Sequence, residues 1–163
     1  MKVNQKKTQL LCIHADHAST ITSYVKTGED SEIISGTSLK ILGFNFDNKP
    51  DATFHVSGVI EKFYNRLWTL RFLRKSGMKT EGMLKAYKSI LRPFVEYCSV
   101  VYHSLIPKYL SDRLEAVQKL AVRIIFGETK DYRSVIDEGI LETLASRRET
   151  KCCLLYTSDA ADE

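Results

Sequence analysis

The stretch Leu39–Asp47 most constrains the fold, because the spacing of apolar side chains changes on either side of it. Within it, the apolar side chains alternate with polar or small ones, a pattern typical of a strand with one buried face; the apolar residues are Ile41, Leu42, Phe44 and Phe46. Gly43 interrupts this pattern, which favours a bulge or a close approach by another backbone or a ligand. The stretch therefore marks the boundary between a β region before it and a helical region after it.

The β region consists of short apolar runs separated by turn-forming residues. The runs are residues 10–13, 21–25 and 33–34, and residues 27–30 and 35–38 are the turn clusters. Together with Leu39–Phe46 they predict a small antiparallel sheet. Such a sheet is too short and too polar to be stable alone, so we expect it to need either the helices that follow or a segment upstream.

Beyond Asp51 the apolar spacing becomes that of a helix. Asp51 or Thr53 can cap the start of this first helix, and Gly77 lies where a left-handed C-terminal residue is wanted. One face of the helix is predicted to be buried; its members, spaced four and three residues apart, are Val56, Ile60, Phe63, Leu67 and Leu70.

Further helical segments follow. A second helix is predicted from Thr80 and should kink at Pro93, because proline lacks the backbone donor. The apolar run Phe94–Tyr102 is predicted to be the most buried element. A third helix should begin at Pro107 and end at Gly127, burying Leu110, Leu114, Val117, Ala121 and Ile124, and a shorter helical segment covers Tyr132–Arg148.

These patterns predict an α+β protein, mainly α, in which a small antiparallel sheet precedes a helical bundle. We divide the chain into residues 1–50, residues 51–152 and residues 153–163. The last segment, CLLYTSDAADE, is similar to the translation of a sequencing-library adaptor, and we expect it to be foreign to the natural protein.

Basic charge is concentrated in one part of the chain. Residues 59–92 contain nine Lys or Arg and two Glu, a net charge of +7, whereas the whole chain carries +4. Such a segment is typical of a surface that binds a phosphate backbone, and a solvated helix face is the alternative. Arg71, Arg74 and Lys75 also suit the C-terminal end of a helix dipole, which accounts for part of the charge without nucleic acid.

No catalytic motif is recognisable in the sequence, and no apolar run reaches the length of a membrane span, so we expect no membrane partner and an intracellular location, nuclear or cytoplasmic. The four cysteines form no CxxC pair, and reduced thiols are expected. Cys12, His14 and His17 suggest a metal site, but a fourth ligand is missing, so we predict no metal.

Three segments are similar to a known family. They are Val3–Thr8, similar to an N-x-x-K-T motif; Leu39–Gly43 with Asp47, similar to a K-x-L-G strand; and Tyr87–Ser99, similar to a Y-x-S-x-x-R-x-x-x-E-Y-G/C-S helix. Leu144–Arg148 is a weaker match to an L-x-x-R-R segment. In this order they resemble the end of the reverse transcriptase domain of non-LTR retrotransposons, the jockey-like and related LINE elements. The resemblance covers about residues 1–152.

The resemblance implies that residues 1–50 are the end of a polymerase palm and residues 51–152 its thumb. The parent enzyme would copy RNA into DNA with magnesium held by aspartates that precede the N-x-x-K-T segment, so this piece is expected to hold no cofactor and not to polymerise alone. Its partners would be the RNA template, the DNA primer and the remainder of the polymerase chain.

The resemblance also assigns roles to single residues. Lys7 would protonate the leaving pyrophosphate or supply its charge there, and a solvated lysine is the alternative. Lys40, Leu42 and Gly43 would form the primer grip. The thumb helix would track the template–primer duplex through phosphate contacts, for which the candidates are Arg66, Arg71, Arg74 and Lys75.

Aromatic residues in the helices are expected mostly to pack in the core, with Trp68 the candidate for stacking on bases; the others are Phe63, Phe72, Tyr87 and Tyr97. Two other interpretations stay open. The chain could be a stand-alone helical module that binds nucleic acid or protein without catalysis, or the translation of a decayed element.

Overall fold

The structure is a computed structural model that describes residues 8–13, 24–27, 31–49 and 51–159 of the 163-residue chain. It divides into two compact units, residues 1–55 and residues 56–163. The chain combines small sheets with a predominantly helical remainder, which confirms the predicted α+β, mainly α class.

The described residues of the first unit form five short strands. They are β1 (Leu10–Leu11), β2 (Tyr24–Thr27), β3 (Ser31–Gly36), β4 (Ser38–Ile41) and β5 (Phe44–Asp47). Strand β3 pairs antiparallel with β2 and parallel with β1, while β4 and β5 form a separate antiparallel pair. The prediction of one antiparallel sheet is therefore wrong in its pairing, since two sheets form and one pair is parallel.

The stretch Leu39–Asp47 is a hairpin, which corrects the prediction of a single strand. Leu42 and Gly43 both have positive φ, 48° and 86°, so they form the two-residue turn that joins β4 to β5. Positive φ at both central positions matches the right-handed twist of the flanking strands. The apolar alternation is also compatible with a hairpin, because Leu39 pairs with Phe46 and Ile41 pairs with Phe44 across it.

The hairpin packs on the residues that start the first helix. The Phe44 ring stacks on the His55 imidazole with centroids 4.1 Å apart, and the Asn45 amide donates to His55 Nδ1. Asp51 Oδ1 accepts from the Thr53 amide at 2.8 Å, which satisfies one of the donors left open at a helix start.

Residues 51–159, as the structure describes them, form seven α-helices. They are α1 (Thr53–Lys75), α2 (Thr80–Ala86), α3 (Arg92–Glu96), α4 (Ser99–Tyr102), α5 (Lys108–Phe126), α6 (Tyr132–Asp137) and α7 (Leu144–Asp159). Helix α5 packs against α2, α6 and α7, and α7 also packs on α4. None of the helices described here has both the length and the apolar character needed to cross a bilayer.

Both predicted apolar stripes are buried. Residues of α1 at helical spacing have exposures of 0–1%; they are Val56, Ile60, Phe63, Leu67 and Leu70. Their counterparts on α5 are at most 9% exposed, namely Leu110, Leu114, Val117, Ala121 and Ile124. The core of the second unit is therefore built as the spacing predicts.

Helices α2 and α3 are joined without a break through a π-helical turn, Tyr87–Leu91. The Arg92 amide donates to the Tyr87 carbonyl, five residues back. Pro93 lies at the first turn of α3 and has no amide to donate. The predicted kink thus takes the form of a wide turn just before the proline.

Two further expectations are corrected. The run Phe94–Tyr102 is not the most buried element, because Phe94, Tyr97 and Val101 are 40–54% exposed while only Val95, Ser99 and Tyr102 are buried. Apolar composition in so short a run does not fix which side faces the core. The segment Tyr132–Arg148 is also divided in two, since Gly139 has φ 68° and separates α6 from α7.

Two glycines should respond oppositely to alanine. Gly127 ends α5 at φ 65° and ψ −128°, and a Cβ there would lie 2.7 Å from Arg74 Nη2. We expect Gly127→Ala to lower the free energy of unfolding by about 2 kcal/mol. Gly58 lies within α1 with open space around its Cβ position, so Gly58→Ala should raise that free energy by about 1 kcal/mol. Urea unfolding of both variants tests this contrast.

Candidate nucleic-acid interface

A basic groove lies at the C-terminal ends of α1 and α5. Its volume is about 620 Å³, and its lining is Arg71, Arg74, Lys75, Leu120, Arg123 and Ile124. All four basic side chains are exposed. Within the part of the chain that the structure describes, no acidic group pairs with Arg71, Lys75 or Arg123. The groove can therefore attract an anion without first breaking an ion pair.

Arg74 has a structural contact of its own in this groove. Its Nη1 donates to the Ile124 carbonyl at 2.8 Å and lies 3.4 Å from the Arg123 carbonyl. Both carbonyls lie in the last turn of α5, where a helix leaves acceptors open; the Arg123 carbonyl also accepts from the Gly127 amide at 2.9 Å. Arg74 therefore caps α5, and its charge offsets the partial negative charge at that helix end.

Arg66 lies away from the groove. Its guanidinium carbon is 3.2 Å from the centroid of the Phe94 ring, and the side chain is half-buried. The contact is a cation–π interaction that joins α1 to α3. Of the four predicted thumb cations, the structure brings Arg71, Arg74 and Lys75 together and gives Arg66 a packing contact instead.

The predicted primer-grip residues lie on the hairpin. Lys40 is exposed and pairs with Asn45 across the two strands, and Leu42 and Gly43 form the turn. Leu42 is 87% exposed. Lys7 lies outside the described residues, as do His14 and His17 of the possible metal site.

Three exposed aromatic side chains recur every four residues along α1, and Phe54 near the start of the helix is exposed as well. Tyr64, Trp68 and Phe72 are 45%, 60% and 57% exposed, and the Trp68 and Phe72 rings meet edge to face with centroids 5.9 Å apart. Phe63 and Tyr87 are buried as predicted, whereas the expectation of core packing is wrong for Phe72 and Tyr97. A spacing of four residues places all three exposed rings on one side of the helix.

The family-like motif residues meet one another inside the second unit. The Glu96 side chain is 10% exposed; it binds Arg147 and accepts a hydrogen bond from Lys151 Nζ at 2.8 Å. Arg92 Nε lies 3.4 Å from Glu96 Oε1. Burial alone would raise the pKa of Glu96, but the hydrogen bonds from Arg147 and Lys151 outweigh it and hold that pKa below its ordinary value. These residues join α3 to α7.

Tyr87, the first residue of the same motif, belongs to a buried hydrogen-bond chain. Its hydroxyl donates to Gln118 Oε1 at 2.6 Å, and Gln118 Nε2 donates to the Tyr132 hydroxyl and to the Glu142 carbonyl, each at 2.9 Å. Tyr132 in turn donates to Glu115. Burial raises the pKa of Tyr87 and of Tyr132 well above their ordinary value, so both phenols stay protonated and able to donate.

Among the described residues, no cluster of three or more His, Cys, Asp or Glu side chains could hold a metal ion.

Arg123 is the groove residue that the sequence analysis missed. It lies outside the basic stretch of residues 59–92 and is brought to Arg71 and Lys75 only by the packing of α5 beside the end of α1. Its position two residues past the buried Ala121 and beside Ile124 marks it as lying off the apolar stripe, but nothing in the local sequence indicates which residues it contacts.

No protein family, curated protein or solved structure matches this chain.

Proposed function

We propose that this chain is part of the reverse transcriptase of a non-LTR retrotransposon and that it grips the template–primer duplex. The basic groove carries the proposal, because three cations without an acidic partner among the described residues converge there from two helices. Such a surface neutralises phosphates on neighbouring positions of a backbone and is tolerant of sequence. In this proposal the magnesium and the catalytic aspartates belong to the remainder of the polymerase chain.

The hairpin of the first unit supports a second contact with nucleic acid. Leu42 has a positive φ, which is unfavourable for a residue with a Cβ; the tight turn requires it, and such strained residues also cluster at ligand-contacting sites. Gly43 beside it leaves the backbone accessible to a close neighbour. In the proposed function Lys40, Leu42 and Gly43 contact the primer strand.

The groove is tested by removing three of its cations together. We expect the full chain carrying Arg71→Ala, Lys75→Ala and Arg123→Ala to bind an RNA–DNA duplex at least about tenfold more weakly, and the slope of log affinity against log salt to fall by about one per cation. Arg74 is left in place because it caps α5. Fluorescence anisotropy across a salt series measures both quantities.

A matched control removes the same charge elsewhere. Lys62→Ala, Lys108→Ala and Arg113→Ala also delete three exposed cations, but none of these residues lines the groove. This control should keep most of the affinity. Equal losses in the two triple variants would mean that only net charge matters, and the groove proposal would be abandoned.

A stand-alone binding module is the second candidate. Residues 56–163 form a compact unit with its own buried core, which is what an independent helical module requires. Sequencing the source transcript across both ends of this reading frame separates the two candidates. A frame that continues upstream into polymerase sequence supports the first, and an authentic start at Met1 supports the second.

A further inference from the structure

The exposed aromatic side of α1, beside the basic groove, is not used by the function proposed above. We name Tyr64, Trp68 and Phe72 the aromatic face. Helix α1 is apolar on two sides, since its core stripe is at most 1% exposed while the aromatic face is 45–60% exposed. A surface helix normally has one apolar stripe, so the second one indicates a ligand or partner.

Cations border this face. Arg71 lies three residues after Trp68, and Lys75 lies three residues after Phe72, so each of these rings has a basic side chain one turn further along the helix. Glu61 lies one turn before Tyr64 on the same side, which leaves the positive charge at the Phe72 end. Alternating rings and cations suit a polyanion that carries flat groups.

The spacing of the rings selects the type of strand. Residues four apart on a helix are about 6 Å apart along its axis. Successive bases of a duplex strand rise about 3.4 Å, so neighbouring bases cannot reach successive rings while they remain stacked on each other. A single strand can open its bases to that separation.

We propose that the aromatic face binds single-stranded nucleic acid, with unstacked bases on Tyr64, Trp68 and Phe72 and the backbone near Arg71 and Lys75. This proposal rests on the nucleic-acid binding proposed above and names the strand that continues beyond the duplex. Ring faces accept any base, so the contact is independent of sequence.

Tryptophan fluorescence of the protein measures binding at this site directly, because Trp68 is its single tryptophan. Titration of the full chain with oligothymidylate should quench its tryptophan emission to saturation, whereas an abasic chain of equal length should bind more weakly and quench little. Tyr64→Ala and Phe72→Ala should each weaken oligothymidylate binding about tenfold by anisotropy. Tyr109→Ala, an equally exposed tyrosine on α5, is the matched control and should change nothing.

A second comparison separates the two proposals. A duplex with a single-stranded overhang should bind about tenfold more tightly than a blunt duplex, and this gain should vanish in Tyr64→Ala. Blunt-duplex binding without any overhang gain or quenching would overturn the aromatic-face proposal and leave the groove intact. Loss of blunt-duplex binding together with the overhang gain would overturn both proposals. Tryptophan emission that changes only with protein concentration would assign the aromatic face to a second copy of the chain and overturn the single-strand proposal.

Discussion

We expect the replacement of Glu96 with glutamine to lower the free energy of unfolding by about 3 kcal/mol. The carboxylate is the shared partner of Arg92, Arg147 and Lys151, and its side chain is only 10% exposed. Without it three like charges face one another with little water to separate them, and removing one member of a buried ion network typically costs about 3–5 kcal/mol. We expect a cost at the lower end of this range because the Lys151 side chain is 37% exposed. Urea unfolding followed by circular dichroism measures the change.

The same residue gives stability a dependence on pH. The pKa of Glu96 is lower in the folded chain than the ordinary value of 4.5. As the pH falls, the unfolded chain therefore takes up a proton before the folded chain does. Glu96 contributes its full stabilisation at pH values above its ordinary pKa and loses it as the pH drops through its pKa in the folded chain. Glu96→Gln should flatten this acid limb of the stability curve.

An exposed ion pair provides the control. Glu81 pairs with Lys85 at 2.8 Å, but both side chains are more than three-quarters exposed. Glu81→Gln makes the same chemical change and should cost at most about 0.5 kcal/mol. If the two variants were equally stable, the Glu96 network would contribute no more than a surface pair, and its role in joining α3 to α7 would be refuted.

Replacing Gln118 with leucine should also cost about 3 kcal/mol. The side chain is fully buried and links Tyr87, Tyr132 and the Glu142 carbonyl. Leucine has a similar size but leaves the Tyr87 hydroxyl without its acceptor and the Glu142 carbonyl without its donor, at about 1–3 kcal/mol for each group. Thermal and urea unfolding would measure the loss.

A double variant shows whether the unmade hydrogen bond is responsible. In Gln118→Leu combined with Tyr87→Phe, the orphaned hydroxyl is gone, so about 1 kcal/mol of the loss should return. Additive losses from the two substitutions would instead point to packing alone.

The sequence predicted the helical core well because its information is local. Side chains spaced four and three residues apart must share one side of a helix, so the stripes of α1 and α5 follow from the sequence once the helices form. The hairpin was missed because apolar alternation is the same whether a strand continues or folds back. Only the positive φ values of Leu42 and Gly43 distinguish the two cases.

The candidate site was harder to predict, because charge does not say which contact a cation makes. Arg66 and Arg74 belong to the same basic helix as Arg71 and Lys75, yet one stacks on Phe94 and the other caps α5. Arg123 completes the groove from a helix that begins more than thirty residues after α1 ends. Each of these assignments depends on how helices pack, which no short window of sequence contains.

The wide turn at Tyr87–Leu91 sets the rotational phase of everything that follows it on the same helix. It holds one residue more than a regular turn, and each residue advances the helix by about 100°. If the same residues formed a regular α-helix instead, Glu96 would rotate by about a quarter-turn away from Arg147 and Lys151, and Phe94 would leave Arg66. Here the count of residues, rather than their chemistry, decides which side chains meet.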